Sequence, residues 1–359
     1  MKYAAAIAHI RQLCCLGLGG EVLMPKILGA LHDLVAADSN GFFWVDDDYE
    51  IANLCVERML PPDVMGLYFR EFYHRQEGGF KSGFTERARD DKEITRATFS
   101  ESFYRTDYYN QIWRHLNAHY AMYALIRERG KCLGQLSVYR APKEQPFSEK
   151  DELQLASITR YVAHALKTGG QGGGGDAAYR DSEYNGLIIF DSEGQLQHMS
   201  PEGRRLLFLA CHPHISRRAI AAIPADAVPP ALLRLCADLR RILGGGEAPP
   251  PVLELDNAWG RFAFRAYWME HRQAETKGVI GVLVQHQEPL PLKLLGRMRS
   301  MPLSIQQKEV ILGLAQGIAH GHLAQRMNVS LNTVNYHIKQ VYDKLDVHDR
   351  NGMLSRLLA

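Results

Sequence analysis

Near the carboxyl end of the chain, two amides, a phenol and an ammonium recur along one side of a predicted helix. The helix is expected to begin at Ser330, because a serine hydroxyl can accept a hydrogen bond from a free backbone N–H in the first turn. Apolar residues follow at helical spacing, at Val334, Ile338, Val341 and Leu345. At about 100° per residue, the opposite face carries Asn332, Asn335, Tyr336, Lys339 and Asp343. These groups suit the edges of nucleic-acid bases, since Asn can bond adenine bidentately and Lys can donate to guanine.

The neighbouring segments supply what such a helix needs to enter a groove. A preceding helix over about 319–327 and a turn at 328–330 complete a helix-turn-helix arrangement. An earlier helix over about 305–316 contributes to the same small core and stops at Gly317, a good residue for a helix end. Further side chains can reach the phosphate backbone, where contacts position the helix and read little sequence. These are Ser330, Thr333, Gln340 and Lys344.

This region resembles the DNA-binding domain of LuxR-type bacterial transcription regulators, also described as LuxR/NarL- or GerE-type. The resemblance runs without a gap through segments that include Leu314-Ala315-Gln316-Gly317, Thr333-Val334 and Lys344-Leu345. It implies an all-α, four-helix domain on double-stranded DNA, with Asn335, Tyr336 and Lys339 at base edges. In that family the fourth helix, here about 349–358, pairs two domains, which implies a homodimer on an inverted repeat.

Four positions depart from the family pattern. Gln307 and His322 stand where Glu is usual, so an ion pair inside the domain is expected to be missing at Gln307. Asp346 replaces a usual Gly, and Asp tolerates the left-handed backbone that a helix end can need. Asn335 replaces a usual basic residue on the polar face, which predicts an operator different from the family's common ones.

The composition indicates a soluble protein of several domains. A chain of 359 residues is expected to form two or three domains, and its 46% hydrophobic and 23% charged content is typical of globular proteins. The net charge of +2 implies no general attraction to nucleic acid. From residue 293 to the end, however, nine Lys and Arg face four Asp and Glu, a local excess that suits DNA.

No pattern in the sequence predicts export, a membrane span or catalysis. The six cysteines form no C-x-x-C pair, so reduced thiols of a cytoplasmic protein are expected, with a redox switch at Cys14-Cys15 as the alternative. No signal peptide and no run of about 18 apolar residues is found. The pairs at His212-Pro213-His214 and His320-Gly321-His322 lack the further ligands that a metal site needs. We therefore predict no enzyme, no cofactor and no metal.

For residues 1–167 we predict a sensor domain that resembles a GAF domain. Two helices, a buried strand at 42–45, a hairpin over 122–139 and a helix over 149–166 carry this resemblance, together with the run from Gly134 to Asp151. GAF domains have a central antiparallel sheet and often hold a small ligand. Aromatic side chains could line a pocket here, although the sequence favours core packing as the explanation for the same residues: Phe43, Trp44, Trp113, Tyr120 and Tyr123.

A glycine-rich linker is predicted at 168–178, followed by a second sensor region at 179–290. Its hairpin at 186–199, its helices at 201–210, 217–223 and 230–243, and its strands at 252–255, 261–270 and 279–286 resemble a PAS domain. With the helix-turn-helix domain at 291–359, the predicted class is α+β and multidomain. The predicted function is a dimeric, sequence-specific transcription regulator that a small-molecule effector controls by shifting a conformational equilibrium. The alternative is a sensor half that binds another protein and takes no small ligand.

Overall fold

A computed structural model describes residues 2–73, 83–90, 92–168, 178–216, 219–220, 228–270 and 278–359. The chain forms two compact units, one of Met1–Gly173 with Asn185–Gln285, the other of Gly174–Tyr184 with His286–Ala359. Most of the predicted linker, and much of a helix predicted at 217–223, lies outside the described residues. None of the helices in the described ranges has the length and apolar character that crossing a membrane requires.

The first part of the larger unit is a five-stranded antiparallel sheet in the order β2-β1-β5-β4-β3. Its strands are β1 Ser39–Val45, β2 Ile51–Val56, β3 Ile94–Arg96, β4 Tyr120–Glu128 and β5 Lys131–Arg140. The helices are α1 Lys2–Cys14, α2 Gly20–Leu31, α3 Pro62–Leu67, α4 Phe84–Arg89 and α5 Glu149–Thr168. The predicted hairpin and long closing helix are present, whereas β2 and β3 were not predicted.

The two faces of this sheet have different neighbours, because side chains alternate along a strand. Phe42, Met122 and Leu136 are fully buried on the face that packs against α2 and α5, and α1 packs against these two helices. The other face lies under the long connection between β2 and β4, which holds α3, α4 and an aromatic cluster around Phe103 and Trp113. The aromatic side chains of this connection therefore cover one side of the sheet.

A second five-stranded sheet has the order β7-β6-β10-β9-β8. When the strands of each sheet are numbered from one to five along the chain, both sheets have the same strand order. It comprises β6 Tyr179–Phe190, β7 Leu196–Met199, β8 Val252–Asn257, β9 Gly260–Met269 and β10 Val279–Pro289. The helices α6 Pro201–Cys211 and α7 Pro230–Leu243 lie between β7 and β8 in the chain. Within the larger unit the two regions touch, since the rings of Trp44 and Trp259 meet edge-on at 6.1 Å.

The smaller unit ends in a helical domain with a small apolar core. Its helices are α8 Leu290–Arg297, α9 Ile305–Ala315, α10 His320–Met327, α11 Leu331–Leu345 and α12 Arg350–Leu358. Ser304, Ser330 and Asp349 cap α9, α11 and α12 through side-chain oxygens that accept backbone N–H groups. The helices predicted for this region are thus confirmed to within a few residues at each end.

Cys14 and Cys15 do not have the same environment. Cys14 is buried and Cys15 is exposed. Burial, reinforced by the neighbouring Cys15, raises the pKa of Cys14 to about 12. Cys14 is therefore a neutral thiol at physiological pH, which disfavours the redox switch considered above because the thiolate is the reactive form.

Candidate nucleic-acid interface and sensor cavity

The turn between α10 and α11 is built by a left-handed residue and a cap. Asn328 ends α10 with φ of +53°, a conformation that Asn adopts more readily than most residues. The N–H of Val329 donates to the carbonyl of Ala324 over 3.0 Å. Ser330 then accepts the N–H of Thr333 on its hydroxyl at 3.1 Å. The chain therefore reverses within three residues and directs α11 away from α10.

One side of α11 packs into the domain and the other faces solvent. The stripe predicted from the sequence, Val334, Ile338, Val341 and Leu345, is buried. Tyr336 is 61% exposed, and Asn335 and Lys339 are also exposed. The structure thus brings the three predicted base-reading side chains onto one open surface, here called the reading face.

Asn335 is held by a residue from the preceding helix. Its Oδ1 lies 3.1 Å from Nδ1 of the His320 ring. An Asn that bonds adenine bidentately uses both its oxygen and its amide nitrogen. His320 therefore competes with a base for the acceptor of Asn335. Sequence reasoning treated His320 only as half of a close histidine pair and missed this contact.

The flanking residues have different surroundings. The hydroxyls of Ser330 and Thr333 lie 2.8 Å apart at the exposed start of α11, and Gln340 is half-buried. Lys344 instead turns into its own domain, where its ammonium donates to the carbonyl of Pro302 at 2.8 Å and to Oε1 of Gln307 at 2.9 Å. Lys344 therefore joins the end of α11 to the start of α9.

Gln307, which stands where the family usually has Glu, makes hydrogen bonds through both its backbone and its side chain. Its N–H donates to the hydroxyl of Ser304 at 3.2 Å, while its Oε1 accepts the N–H of Ser304 at 3.0 Å, which is a reciprocal cap. The same oxygen accepts the Lys344 ammonium. As expected, Gln307 forms no ion pair. An ammonium–amide hydrogen bond from Lys344 takes its place.

Two helix ends confirm what the sequence predicted for their backbones. Gly317 follows α9 with φ of +73°. Asp346 ends α11 with φ of +54°, so Asp does adopt the left-handed conformation at the position where the family usually has Gly. Arg350 also donates to the carbonyl of Ala315 at 3.0 Å, which satisfies one of the free carbonyls at the end of α9.

A cavity lies in the larger unit, between the first sheet and the segment that covers it. Its volume is about 100 Å³. Three of the five predicted ligand-binding residues line it, namely Phe43, Trp113 and Tyr123.

Trp44 and Tyr120, the other two predicted residues, do not line this cavity. Trp44 follows Phe43 and points to the opposite face, where it lies beside Gly20 of α2 and contacts Trp259. Tyr120 lies an odd number of residues from Tyr123 along β4, and its ring meets that of His119 at 4.7 Å. Strand alternation places both outside, since neighbouring residues face opposite sides.

Arg87 and Gln135 form a polar contact at the cavity wall that sequence reasoning missed. Nε of Arg87 in α4 donates to Oε1 of Gln135 in β5 at 3.2 Å, and the guanidinium lies 4.4 Å from the centre of the Tyr123 ring. Nε2 of Gln135 donates to the hydroxyl of Ser137 at 2.9 Å. No local spacing signals this group, because its members come from segments far apart in the chain.

Comparison with known proteins identifies the helical domain. A model of the family described as "Bacterial regulatory proteins, luxR family" (GerE) matches residues 301–355. The curated protein described as "Probable transcriptional regulatory protein SgaR", from Hyphomicrobium methylovorum, is 32% identical over 114 residues. That match covers 31% of this chain and 53% of the relative, so the chain spans about half the length of the curated relative it matches.

Solved structures also resemble the chain, at low similarity. One describes the VqmA dimer of Vibrio cholerae in the absence of target DNA, with 13% identity, a TM-score of 0.16, and coverage of 50% of this chain and 83% of that one. Another is the E. coli DhaR(N)–DhaL complex, with 13% identity, a TM-score of 0.22, and coverage of 81% and 90%. At such TM-scores neither supports a conclusion about this fold. The family match, in contrast, identifies one part of the chain: residues 301–355 are a LuxR-family helix-turn-helix domain.

Proposed function

We propose that this protein is a sequence-specific, DNA-binding transcription regulator. The observation that carries the proposal is the reading face, an exposed amide, phenol and ammonium on the second helix of a LuxR-family helix-turn-helix domain. Asn335, Tyr336 and Lys339 contact base edges in the major groove. The protein then acts in the cytoplasm, where promoter DNA lies.

The phosphate backbone is bound by residues at the rim of the reading face. Ser330 and Thr333 lie at the amino-terminal end of α11, where hydroxyls and free N–H groups suit an anion. Gln340 lies on the flank of the same helix. Lys344 adds positive charge near the backbone, and its bonds to Pro302 and Gln307 also orient α11 in the domain.

The amino-terminal regions sense a small ligand. We assign 1–167 as a GAF-like domain and 179–290 as a PAS-like domain, with the linker at 168–178 and the DNA-binding domain at 291–359. A lined cavity beside the first sheet supports a ligand site there, since small-molecule sites are concave and mostly apolar with a few placed polar groups. A ligand that binds one conformation more tightly shifts the protein towards or away from DNA-competent geometry.

The working species is a homodimer. One helix-turn-helix reads few base pairs, whereas two copies related by a two-fold axis read an inverted repeat about one helical turn apart. In α12, Met353 and Leu357 are buried in the domain's own core, while Leu354 and Leu358 are only half-buried. The latter two are the residues of this helix that we assign to the contact between domains near DNA. The sensor regions supply most of the remaining dimer contact.

Selection of binding sites from random duplexes tests the proposal on the full chain. We expect an enriched inverted repeat, and we expect the same chain with Tyr336→Ala to lose enrichment at specific positions of each half-site. Tyr342→Ala is the matched control, because it removes the same side chain from the same helix. Tyr342 is half-buried, whereas Tyr336 is exposed, and it lies outside the reading face. Enrichment of no sequence by the intact chain contradicts sequence-specific binding.

Sedimentation of the full chain tests the dimer separately. We expect a dimer at micromolar concentration, with operator duplex increasing its share. A monomer both with and without the duplex contradicts the homodimer and leaves the DNA-binding proposal to the selection experiment.

A further inference from the structure

One wall of the sensor cavity is a face of the first sheet, and its polar groups fall into two sets. Phe43 in β1 lies opposite Gln135 in β5, and Ser137 in β5 lies opposite Tyr123 in β4. Because directly paired residues of an antiparallel sheet point to the same side, these side chains form one continuous surface. One set of polar groups bonds within the protein, whereas the other has no partner among the described residues.

The first set is already paired. Oε1 of Gln135 accepts from Nε of Arg87 at 3.2 Å, and Nε2 of Gln135 donates to the hydroxyl of Ser137 at 2.9 Å. The Ser137 hydroxyl in turn hydrogen-bonds the phenol of Tyr139. Gln135 is 2% exposed and Ser137 is fully buried. These groups therefore stabilise the wall and leave little hydrogen-bonding capacity for a ligand.

The second set consists of three hydroxyls that line the cavity, those of Ser39, Tyr68 and Tyr123. Within the described ranges, none of the three hydroxyls bonds a protein group, and none belongs to the polar atoms that are sealed in the core without a partner. Ser39 is only 3% exposed and Tyr123 only 4%, so the space onto which their hydroxyls open is the cavity. A shielded hydroxyl without a partner costs free energy, and a ligand with a hydrogen-bond acceptor removes that cost.

The phenols at this cavity keep their protons at physiological pH. Burial raises the pKa of Tyr68 and of Tyr123 well above that of a free phenol. Burial also raises the pKa of Tyr139 to about 12, although the hydrogen bond with Ser137 opposes the rise. Each phenol is therefore a neutral O–H donor, and none of them supplies a negative charge.

The charged groups of the lining do not favour a charged ligand. Neither aspartate nor glutamate is among the described residues that line the cavity, so a cation would find no counter-charge. Two arginines line it, but both contact protein groups. Arg58 donates to the carbonyl of Leu116 at 3.3 Å, and Arg87 donates to Gln135 and lies 4.4 Å from the centre of the Tyr123 ring. An anion would lose its hydration without gaining an unengaged cation, so a neutral ligand is favoured.

The rest of the lining is apolar and largely aromatic. Phe43 and Phe84 meet edge-on at 5.8 Å, and Trp113 meets Tyr139 edge-on at 5.9 Å. Walls of this kind pack against a flat ring, because aromatic pairs favour edge and offset contacts. The volume of about 100 Å³ exceeds the roughly 10–15 Å³ that one water requires, and it suits a molecule of about one ring.

Given the sensor role proposed above, on which this inference rests, we propose that the cavity binds a neutral one-ring ligand that carries a carbonyl-type hydrogen-bond acceptor, and that the Tyr123 hydroxyl donates to this acceptor. Ser39 and Tyr68 supply further hydroxyls at the same cavity, and the aromatic walls enclose the ring. The ligand is thus recognised by its acceptor and by its shape, and its binding requires no charge.

Three probes of the same flat shape test this on the full chain by isothermal titration calorimetry. Acetophenone carries a carbonyl on its ring, α-methylstyrene carries a methylene group in place of that oxygen, and benzoate carries a carboxylate. We expect acetophenone to bind about tenfold or more tightly than benzoate, because only the anion must lose the hydration of a charge. We also expect α-methylstyrene to bind, since the aromatic walls contact its ring as well.

Tyr123→Phe removes the hydroxyl and keeps the ring. We expect it to weaken acetophenone binding about three- to tenfold, as the loss of one hydrogen bond does, and to leave the binding of α-methylstyrene unchanged. Unchanged binding of α-methylstyrene also reports that the variant keeps the cavity. Tyr120→Phe is the control variant, because Tyr120 lies on the same strand but outside the cavity lining. It should bind both neutral probes like the unaltered chain.

Four results overturn the assignment. They are benzoate binding as tight as that of acetophenone, an acetophenone affinity that is equal in the two tyrosine variants, equal weakening of both neutral probes by Tyr123→Phe, and no binding of any probe by the unaltered chain. Each leaves the DNA-binding proposal intact, because the selection experiment uses no probe. Failure of the selection together with the expected probe binding would instead refute the regulator and keep the ligand site.

Discussion

Lys339→Ala should weaken binding to the selected operator without disturbing the fold. Lys339 is exposed on α11, and within the described part of the chain it makes no hydrogen bond or ion pair. A surface change of this kind alters the free energy of unfolding by about 0.5 kcal/mol or less. The effect on DNA should be larger, because losing one contact to a base edge costs about 1–3 kcal/mol. In Kd this is about 5- to 150-fold.

The assay compares several duplexes at several salt concentrations. Fluorescence anisotropy is measured with the selected operator, with single-base variants of it and with a scrambled duplex. For Lys339→Ala we expect the operator to lose affinity and one base preference to relax, while the scrambled duplex changes little. Salt must be varied because phosphate contacts make affinity depend steeply on ionic strength.

Lys344→Ala is the matched lysine on the same helix and should behave differently. Its ammonium bonds the carbonyl of Pro302 and Oε1 of Gln307, so its loss disturbs the orientation of α11 and removes charge near the backbone. We expect all duplexes to lose affinity alike and the salt dependence to flatten by about one unit of slope. If Lys339→Ala leaves both affinity and base preference unchanged, α11 does not read DNA through this face. A selective loss for Lys344→Ala would refute its positioning role.

Three other side-chain contacts can be tested by substitution. Gln307→Glu places an anion in the first turn of α9 beside Lys344, so we expect about 1 kcal/mol of added stability and slower hydrogen exchange in α9 and α11; unchanged exchange would argue against it. His320→Ala releases Oδ1 of Asn335, so repeated selection should return a different base at one position of each half-site, and an identical site would show that the histidine does not influence reading. Burial opposes ionisation of Asp151, yet hydrogen bonds from Ser148 and the Arg140 guanidinium outweigh it and hold its pKa below the usual value. The stabilisation from Asp151 is therefore present above the carboxylate's unfolded pKa and is lost as pH falls through the lower folded pKa, so Asp151→Asn should lower the melting temperature at about pH 7 and much less at about pH 3. An equal decrease at both pH values would contradict this.

The helical domain could be predicted from sequence because its determinants are local. The buried stripe from Val334 to Leu345 follows from a period of 3.6 residues, and the cap at Ser330 depends on an N–H three residues away. The left-handed ends at Gly317 and Asp346 likewise depend on residue type and position. Interactions within a few residues leave a readable pattern in the sequence.

The first sheet was only partly predictable. The hairpin of β4 and β5 is local, and its strands are long enough to show their character. β3 has only three residues, and β2 lies at the edge of the sheet with an irregular burial pattern. Short edge strands carry too few residues for periodicity to separate them from loops.

The tertiary structure alone decided which side chains form the sensor cavity and how the reading face is supported. Because side chains alternate along a strand, Phe43 and Trp44 must face opposite sides of the sheet. Only the packing of α2 and α5 on one side shows that Phe43 is the residue that faces the cavity. Arg87 meets Gln135 from 48 positions away, and Lys344 meets Gln307 from 37 positions away. Such pairs arise when the chain closes long loops, and the free energy of closure depends on the whole fold. No spacing within either segment records them, so the composition of the cavity and the anchoring of α11 became visible only in the folded chain.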